Sequence, residues 1–287
     1  MRFTGLRDGR RVLVGLLLDA TDDGGGGGEQ TVVPLADVDE FYADLPGWTA
    51  RARQIITGGR ALADVVRTPP VPAGARVLGM GLNYHDHAAE TGQQIPRKPP
   101  LFGRWTASLS VDGTPVPVPP GERGLDWEGE LAAVVGMPMT DVDEATAAAG
   151  VFGYAVFNDL SARRAQGASA QWTLGKNADR SGPMGPVVTA DEVGDPAAGL
   201  RLVTRVNDEI VQDGDTADMI FTIGQILSFV SRTLTLHPGD ILITGTPAGV
   251  GYTRTPPRYL TPGDVVTVEI ERLGRITTPI VDAAARP

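Results

Sequence analysis

Residues 125–136 read LDWEGELAAVVG and residues 151–160 read VFGYAVFNDL. Each carries an apolar run of strand length, apolar enough to be buried, and each has acids at one end. Further strand signals follow in both directions: RVLGMGL (76–82), LVTRVNDEIV (202–211, with Asn207 and Asp208 at its turn), DILITG (240–245), DVVTVEI (264–270) and ITTPIV (276–281). Two of these follow the same turn, Pro238-Gly239-Asp240 and Pro262-Gly263-Asp264, where proline sets the first turn angle and glycine supplies the positive one. Residues 11–18 and 31–35 read as a hairpin joined by TDDGGGGGEQ. That glycine run is not a phosphate loop, since no Lys-Ser or Lys-Thr follows it. A helix is expected over 48–66. Another comes late, where Met219, Ile220, Ile223, Ile226, Leu227, Val230 and Leu234 share one apolar face that should pack on the sheet. Many short strands with few helices predict a mainly β chain with α (α+β), rolled or barrel-like. The segment RTPPVPAGA reads as a linker, dividing a small β-rich unit (1–70) from a larger one (71–287).

Composition narrows the function. The 287 residues hold 35 acidic and 25 basic side chains, a net charge of −10, and no basic patch stands out, so nucleic acid and anionic membrane are not expected partners. Cysteine is absent, so any metal must be held by oxygen or imidazole. The start, MRFTGLRDGRRVLVGLLLDA, reads as a strand and not as a signal segment, because acids bracket its apolar run and no small-residue cleavage site follows. No apolar stretch approaches a membrane span. A cytoplasmic protein is expected.

Glu128 and Glu130 are two apart at a strand start and leave one face together, with Gly129 adding no bulk between them. The spacing alone is weak, since Asp37/Asp39, Asp141/Asp143, Asp213/Asp215 and Glu269/Glu271 share it. The buried strand behind the pair sets it apart, and the second buried strand ends in Asn158-Asp159. A desolvated carboxylate needs a partner. Oxygen ligands without thiolate favour Mg²⁺, Mn²⁺ or Ca²⁺ over Zn²⁺. Two of the three histidines lie in GLNYHDHAAE, and a helix beginning near Tyr84 puts His87 and Glu90 on one face. That suits a general base with an oriented imidazole, and equally an ordinary surface pair. Arg163 and Gln166 lie one turn apart after Asp159, where an arginine can clamp a carboxylate. Lys176, in the loop WTLGKNADRSG, either stabilises an oxyanion or is solvated. The loop GTPAGVG (245–251) has its glycines in the wrong order for a dinucleotide fingerprint.

Six ordered stretches, GMGLNYHDHAAE, LDWEGELAAVVG, GYAVFNDLSARRAQ, WTLGKNADRSGPMGP, VNDEIVQDGDTADMIF and PGDILITGTPAGVG, closely resemble the fumarylacetoacetate hydrolase family over residues 77–282. The resemblance implies a mixed β-roll domain in which Glu128, Glu130 and Asp159 hold Mg²⁺ or Mn²⁺. It implies further that His87 and Glu90 activate water, and that Arg163, Gln166, Lys176 and Thr246 hold a 2-oxo carboxylate and the developing charge. Members are usually homodimers, and the implied substrate is a small 2-oxo acid. Hydrolysis of a 2,4-dioxo acid to pyruvate and a carboxylic acid is the leading expectation. An oxaloacetate-type decarboxylase and an isomerase or hydratase of an unsaturated 2-oxo acid share its enolate chemistry, and a noncatalytic metal-binding or biosynthetic scaffold is the bland alternative. Where the family commonly has Phe-x-Lys-Pro, this chain reads Phe102-Gly103-Arg104-Trp105, and the segment YTRTPPRYL (252–260) is also individual. Both departures bear on substrate choice.

Overall fold

The computed structural model describes residues 1–18 and 30–285. Its larger sheet has 13 strands, with a main path from Arg60–Ala61 through Thr31–Asp37, Arg11–Leu18, Arg2–Asp8, Val187–Thr189, Val151–Asn158, Gly129–Val135, Ile241–Ile243 and Val77–Met80 to Leu101–Arg104. The smaller has 5, in the order Glu209–Asp215, Arg201–Val206, Val265–Ile270, Gly274–Val281 and Val116–Pro117. Neither path returns to its start. The result is the expected strand-dominated mixture of β and α, built as an open roll.

The apolar runs that decide the fold are neighbours at the centre of the large sheet. Strand Gly129–Val135 pairs antiparallel with Val151–Asn158, Ala132 lying opposite Ala155. Every residue of Gly129–Val135 is buried because both faces are covered. Leu131, Ala133 and Val135 join a core with Leu202, Val268 and Ile270 of the smaller sheet and with Ile226, Leu227 and Val230 of the late helix. Ala132 and Val134 enter a second core with Phe3, Val14, Leu16 and Phe41. The hairpin expected near the start is present, Leu18 lying opposite Thr31, and its glycine-rich tip lies outside the described residues. Arg2 lies opposite Val188, so strands from before and after residue 70 share one sheet.

Two helices differ from their expected extents. In place of one helix over 48–66 there is the short helix Leu45–Ala52, preceded by Val38–Ala43, and then a strand at Arg60–Ala61 and a 3-10 turn at Leu62–Asp64. The reason is local: Asp44 caps Leu45–Ala52 by accepting from the Gly47 amide at 3.0 Å, Pro46 sits in its first turn, and Gly58 and Gly59 take left-handed φ of 103° and 93° beyond its end. The late helix covers only Ile223–Ser231 of the 219–234 pattern. Thr222 and Gln225 close a capping box at its start. Met219 instead forms an isolated antiparallel bridge with Tyr84. Among the described residues no helix is long and apolar enough to cross a membrane.

Candidate active site

The acids meet because of strand register. Gly129 lies opposite Asn158, and the Asp159 amide donates to the Glu128 carbonyl at 2.9 Å, extending the ladder by one pair. Glu128 and Asp159 are thereby cross-strand neighbours, and Glu130 follows two positions on along the same face. Ligand oxygens of Glu128, Glu130 and Asp159 all lie within 4.8 Å of one another, and all three residues are buried. Gly129 faces the smaller sheet, where a Cβ would stand 2.3 Å from Thr204 Oγ1, so this strand carries no side chain between its two glutamates.

Three cations ring the acids, Lys176 and Arg104 buried and Arg163 half-buried. Lys176, at the end of the short helix Thr173–Lys176, places Nζ 2.5 Å from Glu128 Oε2 and 2.7 Å from Asp159 Oδ2, and at 2% exposure it is not a solvated loop lysine. Arg163 reaches Glu128 Oε1 at 2.6 Å and Asp126 Oδ2 at 2.7 Å, and its Nη1 donates to Gln166 Oε1 at 2.8 Å. Arg104 pairs with Asp159 Oδ1 and donates from Nη2 to Ser181 Oγ at 2.7 Å. Four acids, Asp126 with the three above, therefore face three cations. Burial alone would raise Glu128, but the Lys176 and Arg163 charges pull it down to about 2. Glu130 is pushed well above the usual carboxylate range by burial and then by the Asp159 and Glu128 charges beside it. Burial would lower Lys176, yet Asp159 and Glu128 hold it above its ordinary value.

An all-oxygen cluster of four carboxylates against three cations fits a hard divalent ion, which would offset the repulsion that, after burial, holds Glu130 above the usual carboxylate range. A buried acidic triad of this kind is compatible with metal binding.

The histidine pair lies on the helix His85–Thr91, as the sequence predicts, with Tyr84 at its N-cap and Gly92 leaving it at a φ of 65°. His87 Nδ1 is 2.9 Å from Glu90 Oε2. An ionised carboxylate only accepts, so Nδ1 carries the proton and Nε2 is left as the basic nitrogen. Glu90 Oε1 accepts from the Gly249 amide and from Thr253 Oγ1, each at 2.9 Å. Partial burial would raise Glu90, but these bonds and the one from His87 hold it below its ordinary value. Asn83 anchors the helix approach through the Phe221 amide and the Phe221 and Thr244 carbonyls.

The glycine-rich loop after strand Ile241–Ile243 works through its amides. Gly245 donates to Glu130 at 2.7 Å, Ala248 to Asp86 at 3.2 Å, Gly249 to Glu90 at 2.9 Å and Gly251 to Asp126 at 2.7 Å. Gly245 and Gly249 take φ of 93° and 104°, which a side chain would resist. Thr246 borders the cavity, but its hydroxyl donates to the Gly129 carbonyl and accepts from Gln212, so it braces the strand. Gln166, in the cavity lining, spends its oxygen on Arg163 and keeps its NH₂ as a candidate donor.

His87, Glu128, Glu130, Arg163, Gln166, Lys176 and Thr246 line one cavity of about 80 Å³. Asp159 lies behind it, under Lys176 and Arg104. Sequence reasoning missed Asp126, Asn83, Gln212 and the pairing of Arg104 with Asp159. Asp126 is two residues before Glu128 in the same acidic stretch, the period-2 spacing that marks a shared strand face.

The family model described as fumarylacetoacetate (FAA) hydrolase C-terminal matches residues 76–281. A relative in Burkholderia multivorans, which carries a provisional hydrolase name and no substrate, is 46% identical over 202 residues, 69% of this chain and 71% of its own. Among solved structures, 2-hydroxyhepta-2,4-diene-1,7-dioate isomerase from Mycobacterium marinum is 31% identical with a TM-score of 0.76, covering 99% of both chains. Fumarylacetoacetate hydrolase from Exiguobacterium antarcticum is 31% identical with a TM-score of 0.75, covering 98% of this chain and 99% of that one. With the match spanning the acids, the His–Glu pair and the amide loop, the chain belongs to the fumarylacetoacetate hydrolase family.

Proposed function

We propose that the protein hydrolyses a carbon–carbon bond in a 2,4-dioxo acid of acylpyruvate or fumarylpyruvate type, releasing pyruvate and a carboxylic acid. A buried acidic triad, with Glu128 and Glu130 opening into the same cavity as the His87 of an oriented His–Glu pair, carries the reading. A structural cation site needs the acids but has no use for the pair. Glu128, Glu130 and Asp159 would hold Mg²⁺ or Mn²⁺, with Ca²⁺ a hard-ion alternative, and the ion would supply a Lewis acid for the substrate's carboxylate and 2-oxo oxygens.

His87 Nε2 takes a proton from water as the water oxygen bonds to the 4-carbonyl carbon, while Glu90 fixes the ring and stabilises its positive charge. Collapse of the resulting alkoxide breaks the C3–C4 bond, and its electron pair passes into the pyruvate enolate. The proton held by His87 then returns to C3, so one water is consumed and two acids leave. Lys176 and the Gln166 amide present positive charge and a donor to the enolate and carboxylate oxygens, where preorganised electrostatics count most.

The likeness to the M. marinum isomerase supports a second reading in which the same enolate is reprotonated without water addition. Incubating acetylpyruvate, fumarylpyruvate and oxaloacetate with the protein and Mg²⁺, and following ultraviolet loss together with pyruvate release, separates the two. Pyruvate formed with a stoichiometric carboxylic acid is expected. Pyruvate with carbon dioxide from oxaloacetate alone, or isomerisation without cleavage, would overturn hydrolysis.

A further inference from the structure

Beyond the reacting core, the cavity is walled by Phe102, Trp172 and Tyr252, with Met80, Leu82 and Gln93 beside them. Phe102 and Trp172 pack with ring centroids 5.7 Å apart at 58°. Trp172 also lies against Gly81, where a Cβ would stand 2.7 Å from its ring, so the indole is seated although its residue is 38% exposed. Phe102 covers Lys176 Nζ at 5.0 Å, and Tyr252 covers the Arg163 guanidinium at 4.3 Å.

Besides His87, the cations among the described residues of this lining are Arg163 and Lys176, and both are committed to Asp126, Glu128 or Asp159. Arg97 and Lys98, later in the segment that contributes Gln93, line a separate groove with Phe221, Gln225 and Phe229. The aromatic rim thus offers flat apolar surface with the Gln93 amide and the Tyr252 hydroxyl as its neutral polar groups. A carboxylate placed there would lose hydration with no ion partner, whereas a planar uncharged group would stack.

Resting on the hydrolase reading, we infer that the part of the substrate beyond the 4-carbonyl is uncharged and apolar, aromatic by preference, seated between Phe102, Trp172 and Tyr252. This departs from the dioate named for the M. marinum isomerase, which carries a second carboxylate.

The test has a turnover arm and a binding arm, both with Mg²⁺. Benzoylpyruvate should be cleaved with kcat/KM about tenfold above fumarylpyruvate. Phenylpyruvate, which has no 4-carbonyl to attack, should bind about tenfold tighter than 2-oxoadipate by calorimetry. Trp172→Ala should bring those two affinities to within about threefold of each other, with Trp172→Leu, which keeps apolar bulk, falling between. Tighter binding of 2-oxoadipate, or a preference that survives Trp172→Ala, would overturn the inference whatever the turnover. If none of the dioxo acids is cleaved while phenylpyruvate keeps its advantage, the hydrolase reading falls and the apolar rim stands. Binding of neither 2-oxo acid removes both.

Discussion

Arg104 and Asp159 form an ion pair with both side chains wholly withdrawn from solvent. The guanidinium takes Asp159 Oδ1 and anchors itself on Ser181, while Lys176 takes Oδ2 from the other side. The acid at the end of the second buried strand is thereby fixed in orientation by a planar fork, for which an ammonium is no equivalent.

Breaking this pair should be costly. Arg104→Met is expected to lower stability to urea by about 3–5 kcal/mol, because it strands a buried charge. The remaining contact to Lys176 keeps the loss toward the lower part of that range. Arg104→Lys should recover only part of it, since an ammonium cannot reach Asp159 and Ser181 together. A neutral outcome for Arg104→Met would mean Lys176 alone satisfies Asp159.

Glu128→Ala should remove turnover and the thermal stabilisation conferred by Mg²⁺ or Mn²⁺ together, since ligand binding to the folded state is what raises Tm. Thermal melts with and without the ion, alongside activity before and after exhaustive chelation, check both halves. An undiminished Mg²⁺-dependent shift in the variant, or full activity in the chelated native protein, would count against the acidic cluster as the ion site.

His87→Ala should lose about 10²–10⁴-fold in kcat, with Mg²⁺ stabilisation retained because the ring is not among the clustered acids. Full activity in this variant would place water activation elsewhere.

Glu90 gives a pH signature. Its pKa is lowered in the folded protein from the ordinary 4.5. It therefore contributes stability that is fully present above the unfolded value and is lost as pH falls through the folded one. The Tm difference between the native protein and Glu90→Gln should be constant above about pH 5 and shrink below it. A difference that grows on acidification would reverse the assigned sign.

Gly129→Ala tests the glutamate geometry from behind. Its Cβ would meet Thr204 Oγ1 at 2.3 Å and crowd Leu202 and Val268. A loss of about 1–3 kcal/mol is expected from overpacking, together with weaker Mg²⁺ stabilisation as the strand shifts. Thr204→Ala in the same chain should restore part of both, as measured by thermal melts.

By itself the sequence determined the buried strands, the two Pro-Gly-Asp turns, the spacing of Glu128 with Glu130 and the helical pairing of His87 with Glu90. Those features depend on residues within a few positions of one another, where strand and helix periods act directly on side-chain direction. Tertiary structure alone decided that Gly129 lies opposite Asn158, which carries Asp159 to Glu128, and that Arg104 reaches Asp159 from a distant strand. It alone turned the GTPAGVG amides onto Glu130, Asp86, Glu90 and Asp126. Cross-strand register is set by packing between segments far apart in the chain, and a backbone amide leaves no mark in the side-chain alphabet from which a sequence is read.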